Sequence, residues 1–506
     1  MTSSPNFQLP SQLSRWIIIG FSLLFLIRIG IIFELPFTDT TEARYAEIAR
    51  KMVETNDWIT PQFDYGVPFW GKPPLHTWIS AAGMKFFGVN AFGARIGIFI
   101  TALLILISLY LWARRIKGFD YALAGTFIVA SGILFLLSAA NVMTDLVMVA
   151  GTTLCMTSFW DCLHRKNQTK WSSYLFFIGL AIGMLAKGPV AVVLCALPIG
   201  LWVLLTNSWA ATWKKIPWLS GILLTIAISF PWYYLAEEKT PGFLNYFLVG
   251  EHYQRFINSG WDGDLYGHGH AHPKGAIWLY AFATLIPWTP FILWPLIRVK
   301  RVIDGFRKEF RSADPKWSLY LLCWALSPLI FFTMAGNILM TYTLSGIPAF
   351  GFLALSLWQQ YSPNSPSTHS PKGMIPFYKG SSIAAVIIAL IALIAISFFP
   401  NLLGHRTQKY LIQKANSVQQ ETANTDSCVY YYPKRYYSAE FYSEGNATHL
   451  RTSEELSKLL SNNTRDILAI RKKDEGRLPS GFIHHFTLIE TFQKGHQLYL
   501  ENPLKP

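Results

Sequence analysis

Long apolar runs recur from Trp16 to Pro400, separated by short polar stretches. A membrane span needs roughly 20 apolar residues, and these runs approach that length. Backbone groups in lipid must be satisfied within the segment, so the runs predict helices. The period-two alternation of a barrel strand is absent. The runs mark about eleven spans, near residues 16–34, 92–112, 121–140, 146–162, 172–186, 189–206, 217–235, 276–297, 317–334, 342–358 and 381–400. Composition agrees: of 506 residues 52% are hydrophobic and 14% charged, against about 25% charged in soluble domains.

Two segments break this pattern. Between the first two spans, Tyr45, Ile48, Ala49, Met52 and Val53 fall on one helical face, and Leu75, Trp78, Ile79, Ala82 and Phe86 on another. Pro73 and Pro74 suit the first turn of the second helix. Both helices are expected to lie flat at the interface with their apolar sides toward lipid. After Pro400 the composition changes. Helical pattern at Gln408–Gln420 and Ser453–Leu460, with strand pattern at Cys428–Tyr432, Asp466–Arg471 and Gln497–Leu500, predicts a small α/β unit. The expected organisation is an all-α polytopic domain over 1–400 and a soluble domain over 401–506. Ser362–Lys372 is Ser/Pro-rich and reads as a flexible loop.

The net charge is +14, and it collects in alternate loops: Arg114, Arg115 and Lys117; Arg165, Lys166 and Lys170; Lys214 and Lys215; then Arg298 to Arg311. By the positive-inside rule these loops are cytoplasmic. The excess is a topology signal and gives no reason to invoke nucleic acid. The same rule places loops 35–91, 141–145, 187–188, 236–275 and 335–341 outside, with everything after Pro400. The five cysteines suggest no disulfide framework.

The outer loops hold the candidate chemistry. Asp39 and Glu42 have capping-box spacing, which alone accounts for both; either could instead serve as a base or substrate anchor. Arg44, Lys72 and Arg255 suit solvated interfacial charge singly, and an anion clamp together. Asp145, Lys187 and Arg28 lie at membrane depth, where charges are paired or functional. His252, and His270 within Gly267-His-Gly-His-Ala-His272, are weaker candidates for site support. The Gly-rich histidine run has no cysteine or carboxylate partner in sequence, so no metal site is assigned.

The run Thr41-Glu-Ala-Arg-Tyr-Ala-Glu-Ile-Ala-Arg50, followed by Asp57-Trp-Ile-Thr-Pro61 and Gly71-Lys-Pro-Pro-Leu75, resembles the first periplasmic loop of one known class. These are the bacterial aminoarabinose transferase and related dolichyl- or polyprenyl-phosphate-sugar glycosyltransferases of the GT-C class, including protein mannosyltransferase-like members. Matches continue in order at Thr144-Asp145, Ala186-Lys-Gly-Pro-Val190, Pro231-Trp-Tyr-Tyr234, Glu251-His-Tyr-Gln-Arg-Phe256 and Gly336-Asn-Ile-Leu-Met-Thr-Tyr342.

The resemblance implies a multi-pass enzyme of the bacterial inner membrane with its site and C-terminal domain facing the periplasm. It would move a sugar from undecaprenyl phosphate, with inversion, to lipid A, another glycan or a protein. Membrane lipids would surround it. A lipid-linked-sugar transporter or flippase is the alternative, although no internal repeat is seen. Carried over from the family, Lys72, Arg255 and Tyr342 hold the donor phosphate, and an acid of the first loop is central. Here Thr41 stands where that acid is common, leaving Asp39 or Glu42. Gly71 replaces a Glu that is a suggested metal ligand in the aminoarabinose branch, which lowers the case for a divalent metal. The Lys usual near Ile338 is also missing.

Overall fold

The computed structural model describes residues 7–165, 170–267, 269–361, 373–399, 406–422, 427–461 and 464–503. The loop expected at Ser362–Lys372 lies outside the described residues. Each apolar run from Trp16 to the last span is helical. Among the described residues six helices are long and apolar enough to cross a membrane: α1 (Ser11–Glu34), Ala91–Lys117, Thr144–His164, Trp218–Lys239, Met340–Gln360 and Met374–Phe398. Four further apolar helices are shorter, and one run is a broken pair.

That pair, Ala276–Thr284 and Thr289–Arg311, bends by 112° rather than forming the single straight span expected over 276–297. Pro287 and Pro290 lack backbone donors and cannot continue a regular ladder. The run over 121–140 is broken too, at Gly132. The two breaks answer each other: the Ile133 N–H donates to the Ile286 carbonyl at 2.9 Å. A break inside an apolar body needs this kind of satisfaction.

In the first loop, α2 (Thr41–Thr55) and α3 (Leu75–Phe87) form as expected, with a two-residue-wide hairpin of β1 (Gln62–Asp64) and β2 (Val67–Pro68) between them. Their placement differs from the expectation. The apolar face of α2 is buried inside the protein, where Tyr45, Ile48, Ala49 and Met52 pack with Phe37, Phe69, Tyr437 and Phe441. Protein, and not lipid, covers it. On α3 the buried residues are His76, Thr77, Ser80, Ala81, Gly83 and Met84, while Phe86 is exposed. α4 (Ala91–Lys117) starts where the Asn90 side chain accepts a hydrogen bond from Gly93 N at 2.8 Å.

Behind the loop, α5 (Phe119–Ser131) and α6 (Ile133–Ser138) lead to α7 (Thr144–His164) and α8 (Lys170–Lys187). The last two approach backbone to backbone: a Cβ added at Gly151 would lie 2.6 Å from the Gly179 carbonyl. Small residues permit that contact, the usual means of tight helix association in membranes. It fixes the ends that carry Asp145 and Lys187.

The C-terminal sheet runs in the order β4-β3-β5-β7-β6, with β3 (Val429–Tyr432), β4 (Ala447–His449), β5 (Ile467–Arg471), β6 (Phe486–Phe492) and β7 (His496–Glu501). β3 is parallel to β4 and β5; β7 is antiparallel to β5 and β6. Alternation sorts the side chains of β5. Ile467 and Ala469 pack under helix Lys409–Glu421 through Leu411, Ile412 and Ala415. Leu468 and Ile470 face Leu456, Leu459 and Phe482. β4, β6 and the short helix Tyr437–Tyr442 were not anticipated from the sequence.

Candidate active site

The site is assembled around Glu251. A helical segment with π-type turns, Tyr246–Gln254, continues into Arg255–Ile257 and carries Glu251 and Arg255 one turn apart. Such turns are rare and often mark functional positions. Lys72, just before α3, places Nζ 2.8 Å from Glu251 Oε2. Arg255 Nη1 lies 3.0 Å from the same oxygen and 3.2 Å from Oε1, where the Tyr246 hydroxyl also donates at 3.2 Å. Arg255 is 3.3 Å from Asp264 as well. Burial alone would raise the Glu251 carboxyl, but Lys72 and Arg255 outweigh it and hold it down to about 2. Burial would lower the Lys72 ammonium, yet Glu251 keeps it above its ordinary value.

The Gly336–Tyr342 stretch clamps this segment. Asn337 Nδ2 donates to the carbonyls of Arg255 at 2.6 Å and Asn258 at 2.8 Å, and Gly336 N donates to Phe256 O at 2.6 Å. Tyr342 follows, and Lys187 Nζ sits 4.8 Å from its ring centroid. Lys187 also bonds Asp145 Oδ1 at 2.6 Å. His252 brings Nε2 within 3.2 Å of the Lys187 carbonyl and Nδ1 within 2.8 Å of the Phe247 carbonyl. Burial is the main cause that lowers the His252 imidazole. The charges of Lys72 and Asp145 both reach His76, whose imidazole is pushed down to about 3, chiefly by burial. Lys72, Arg255, Tyr342, Asp145, Lys187 and His252 therefore belong to one connected cluster.

Arg44 donates from Nη1 to the Tyr266 carbonyl and stacks 5.4 Å from the Tyr45 ring centroid. The Nε atoms of Arg44 and Arg255 are buried without a hydrogen-bond partner among the described residues. His270 lies in the strand-like contact beside Asn337, through its carbonyl, which accepts from Ile338 N at 3.0 Å. Burial and the Arg255 charge lower its imidazole. Among the described residues no three His, Cys, Asp or Glu side chains gather as a metal seat.

The two acids of the first loop are engaged elsewhere, and the capping box does not form. Helix α2 has Thr40 at its N-cap with no side-chain cap. Asp39 accepts from Ser438 instead, from N at 3.1 Å and from the hydroxyl. Burial raises its carboxyl to about 6 despite those bonds. Glu42 accepts two parallel hydrogen bonds from Arg95, at 2.8 and 2.9 Å. Tertiary partners have taken both acids from the helix end. Asp145 keeps one oxygen in hand: Lys187 bonds to Oδ1, and Oδ2 has no hydrogen bond among the described residues. Glu251, Asp264, Asn337 and Arg95 were missed from the sequence. The i, i+4 spacing of Glu251 and Arg255 was the one local signal for them.

Residues 18–247 match the family described as dolichyl-phosphate-mannose-protein mannosyltransferase. Among curated proteins, the undecaprenyl phosphate-alpha-4-amino-4-deoxy-L-arabinose arabinosyl transferase of Erwinia tasmaniensis is 30% identical over 328 residues, 62% of this chain and 54% of that one. The protein of the same name from Enterobacter sp. is 28% identical over 415 residues, 79% of this chain and 69% of that one. The chain thus spans little more than half the length of the first of these relatives. Among solved structures, ArnT from Cupriavidus metallidurans bound to undecaprenyl phosphate is similar in fold, with a TM-score of 0.73 at 16% identity, covering 97% of this chain and 98% of that one. The chain therefore matches the mannosyltransferase family over residues 18–247, is similar in sequence to the aminoarabinose transferases, and shares its fold with one of them.

Proposed function

We propose that this protein is a glycosyltransferase that moves a sugar from a polyprenyl phosphate, undecaprenyl phosphate in a bacterial inner membrane, to an acceptor on the outer face. The acceptor class is lipid A, another glycolipid or polysaccharide, or a protein. The site and the C-terminal unit face the periplasm, in keeping with the basic loops on the opposite side. The relatives named for undecaprenyl phosphate-linked aminoarabinose support the donor class.

One observation carries this reading: Lys72 and Arg255 converge on a single buried carboxylate, 2.8 and 3.0 Å away, beside Tyr342 and Lys187. Two convergent cations next to a phenol suit a lipid phosphate, with the unpartnered Arg255 Nε available to one more oxygen. As the sugar leaves, negative charge grows on that phosphate, and fixed cations stabilise charge where it develops. The acceptor attacks the anomeric carbon from the opposite face, its nucleophilic oxygen replacing the phosphate oxygen. A single displacement inverts that carbon, and the leaving electrons end on the phosphate.

Of the three candidate acids, Asp145 is the one with an oxygen left to meet an acceptor. It would take the acceptor's proton or orient it, while Asp39 and Glu42 hold the fold. The test is a transfer assay with purified protein, undecaprenyl-phosphate-linked sugars and extracted acceptors, read by mass spectrometry. Transfer lost in Lys72→Ala together with weakened undecaprenyl phosphate binding is the expected result. Unchanged binding in Lys72→Ala removes the phosphate clamp.

A further inference from the structure

The phosphate clamp is already filled. Glu251 is buried, and its two oxygens take Lys72, Arg255 and the Tyr246 hydroxyl. Asp264 Oδ2 lies 3.3 Å from the same Arg255 Nη1. Two cations therefore stand against two carboxylates, and the cluster is neutral before any donor arrives. A phosphate entering a neutral cluster gains little from its charge, because like charge repels it as strongly as the cations attract it. It gains fully only where the resident carboxylate gives way.

We propose that Glu251 is a resident counter-anion: it occupies the seat of the donor phosphate, yields when the donor binds and returns to help expel the polyprenyl phosphate product. This rests on the donor reading above. Its chemistry is that of exchange between anions, with no bond made or broken. Glu251 keeps Lys72 and Arg255 charged and aimed while the site is empty, so it acts through them as a positioning residue. The returning carboxylate opposes the product more than the donor. The product phosphate is a monoester carrying more charge than the donor's diester, so the pair discriminates between them in the direction turnover needs.

Equilibrium binding of undecaprenyl phosphate to the full chain in nanodiscs tests this, with inorganic phosphate and phosphatidylglycerol as competitors. The competitors separate a lipid phosphate from free phosphate and from any anionic headgroup. Glu251→Gln should bind undecaprenyl phosphate about tenfold tighter or more, since a charge at this range is worth at least that factor. Both kcat and KM should fall in that variant, because product leaves more slowly. A residue with a merely structural role would weaken binding. Glu251→Asp keeps the charge on a shorter arm and should bind about fivefold tighter, at the low end of ordinary coupling factors; it serves if the Gln variant does not fold. Unchanged or weaker binding in the folded variants overturns the counter-anion, while wild-type binding leaves the donor reading standing. If neither wild type nor variants bind, both fall.

Discussion

Glu42 and Arg95 are joined by two parallel hydrogen bonds, and Arg95 is fully buried. The guanidinium also donates from Nη1 to the Leu35 carbonyl at 2.5 Å and lies 4.5 Å from the Phe37 ring centroid. One side chain thus ties the end of α1, the start of α2 and the body of α4 together. Removing one member of such a pair leaves the other charge buried and unpaired, which costs about 3–5 kcal/mol. Arg95→Ala and Glu42→Gln should therefore lower the thermal unfolding temperature in detergent and reduce the yield of folded protein. The folded fraction of Glu42→Gln should keep most of its turnover. A folded Glu42→Gln protein with wild-type stability and no turnover would return Glu42 to the chemistry.

Asp145→Asn is expected to act differently. General acid–base groups contribute typically 10²–10⁴-fold, so turnover should fall by about that factor with undecaprenyl phosphate binding retained. Lys187→Met should give a milder loss, because it removes the partner on Oδ1 and the cation facing Tyr342. Steady-state kinetics beside a binding isotherm separates the two effects. An Asp145→Asn protein that turns over like wild type would leave the site without its acid.

The sequence carried the helices and most of the cation cluster, but not the fate of the acids. Apolar runs at span length leave a chain few alternatives to helix, so those elements were legible one by one. Lys72, Arg255 and Tyr342 were legible through ordered motifs. Asp39 was not, since its partner Ser438 lies 399 residues away and no local pattern joins them. The cover on α2 was hidden for the same reason: Tyr437 and Phe441 bury a face that periodicity alone assigns to lipid. The 112° bend was obscured because a broken pair and a straight span share one hydropathy profile.

The Asp39 contact should make stability depend on pH. Its carboxyl is raised to about 6 in the folded protein, mainly by burial, against about 3.9 when unfolded. In that window the folded state holds the proton that the unfolded state has lost, so stability falls as pH rises from about 4 to 6. Asp39→Asn cannot titrate and should flatten this part of the profile, and its unfolding temperature at pH 7 should match or exceed that of wild type. Thermal unfolding from pH 4 to 8 measures it. Identical slopes in both proteins would remove Asp39 as the source.

The same face of α2 is fixed to the C-terminal unit by a buried ionic lattice. Lys51, 1% exposed, has Glu440 at 3.5 Å and Glu47 and Asp64 each at 3.6 Å. Arg435 meets Glu440 at 2.5 Å and Asp64 at 3.3 Å. Glu440 and Asp64 are both shared, and Glu440 is the nearest anion to each cation, so its loss weakens the pairing of both at once. Glu440→Gln should loosen the C-terminal unit from the first loop, seen as faster proteolysis after Phe399 and faster amide exchange in α2. Because α2 and α3 pack together and Lys72 stands at the head of α3, undecaprenyl phosphate binding should weaken in the same variant. Lys51→Met removes one of the two under-paired cations and should recover part of the loss in the double variant, since contacting residues couple by roughly 0.5–3 kcal/mol. Strict additivity of the two substitutions would show that the lattice does not act as a unit.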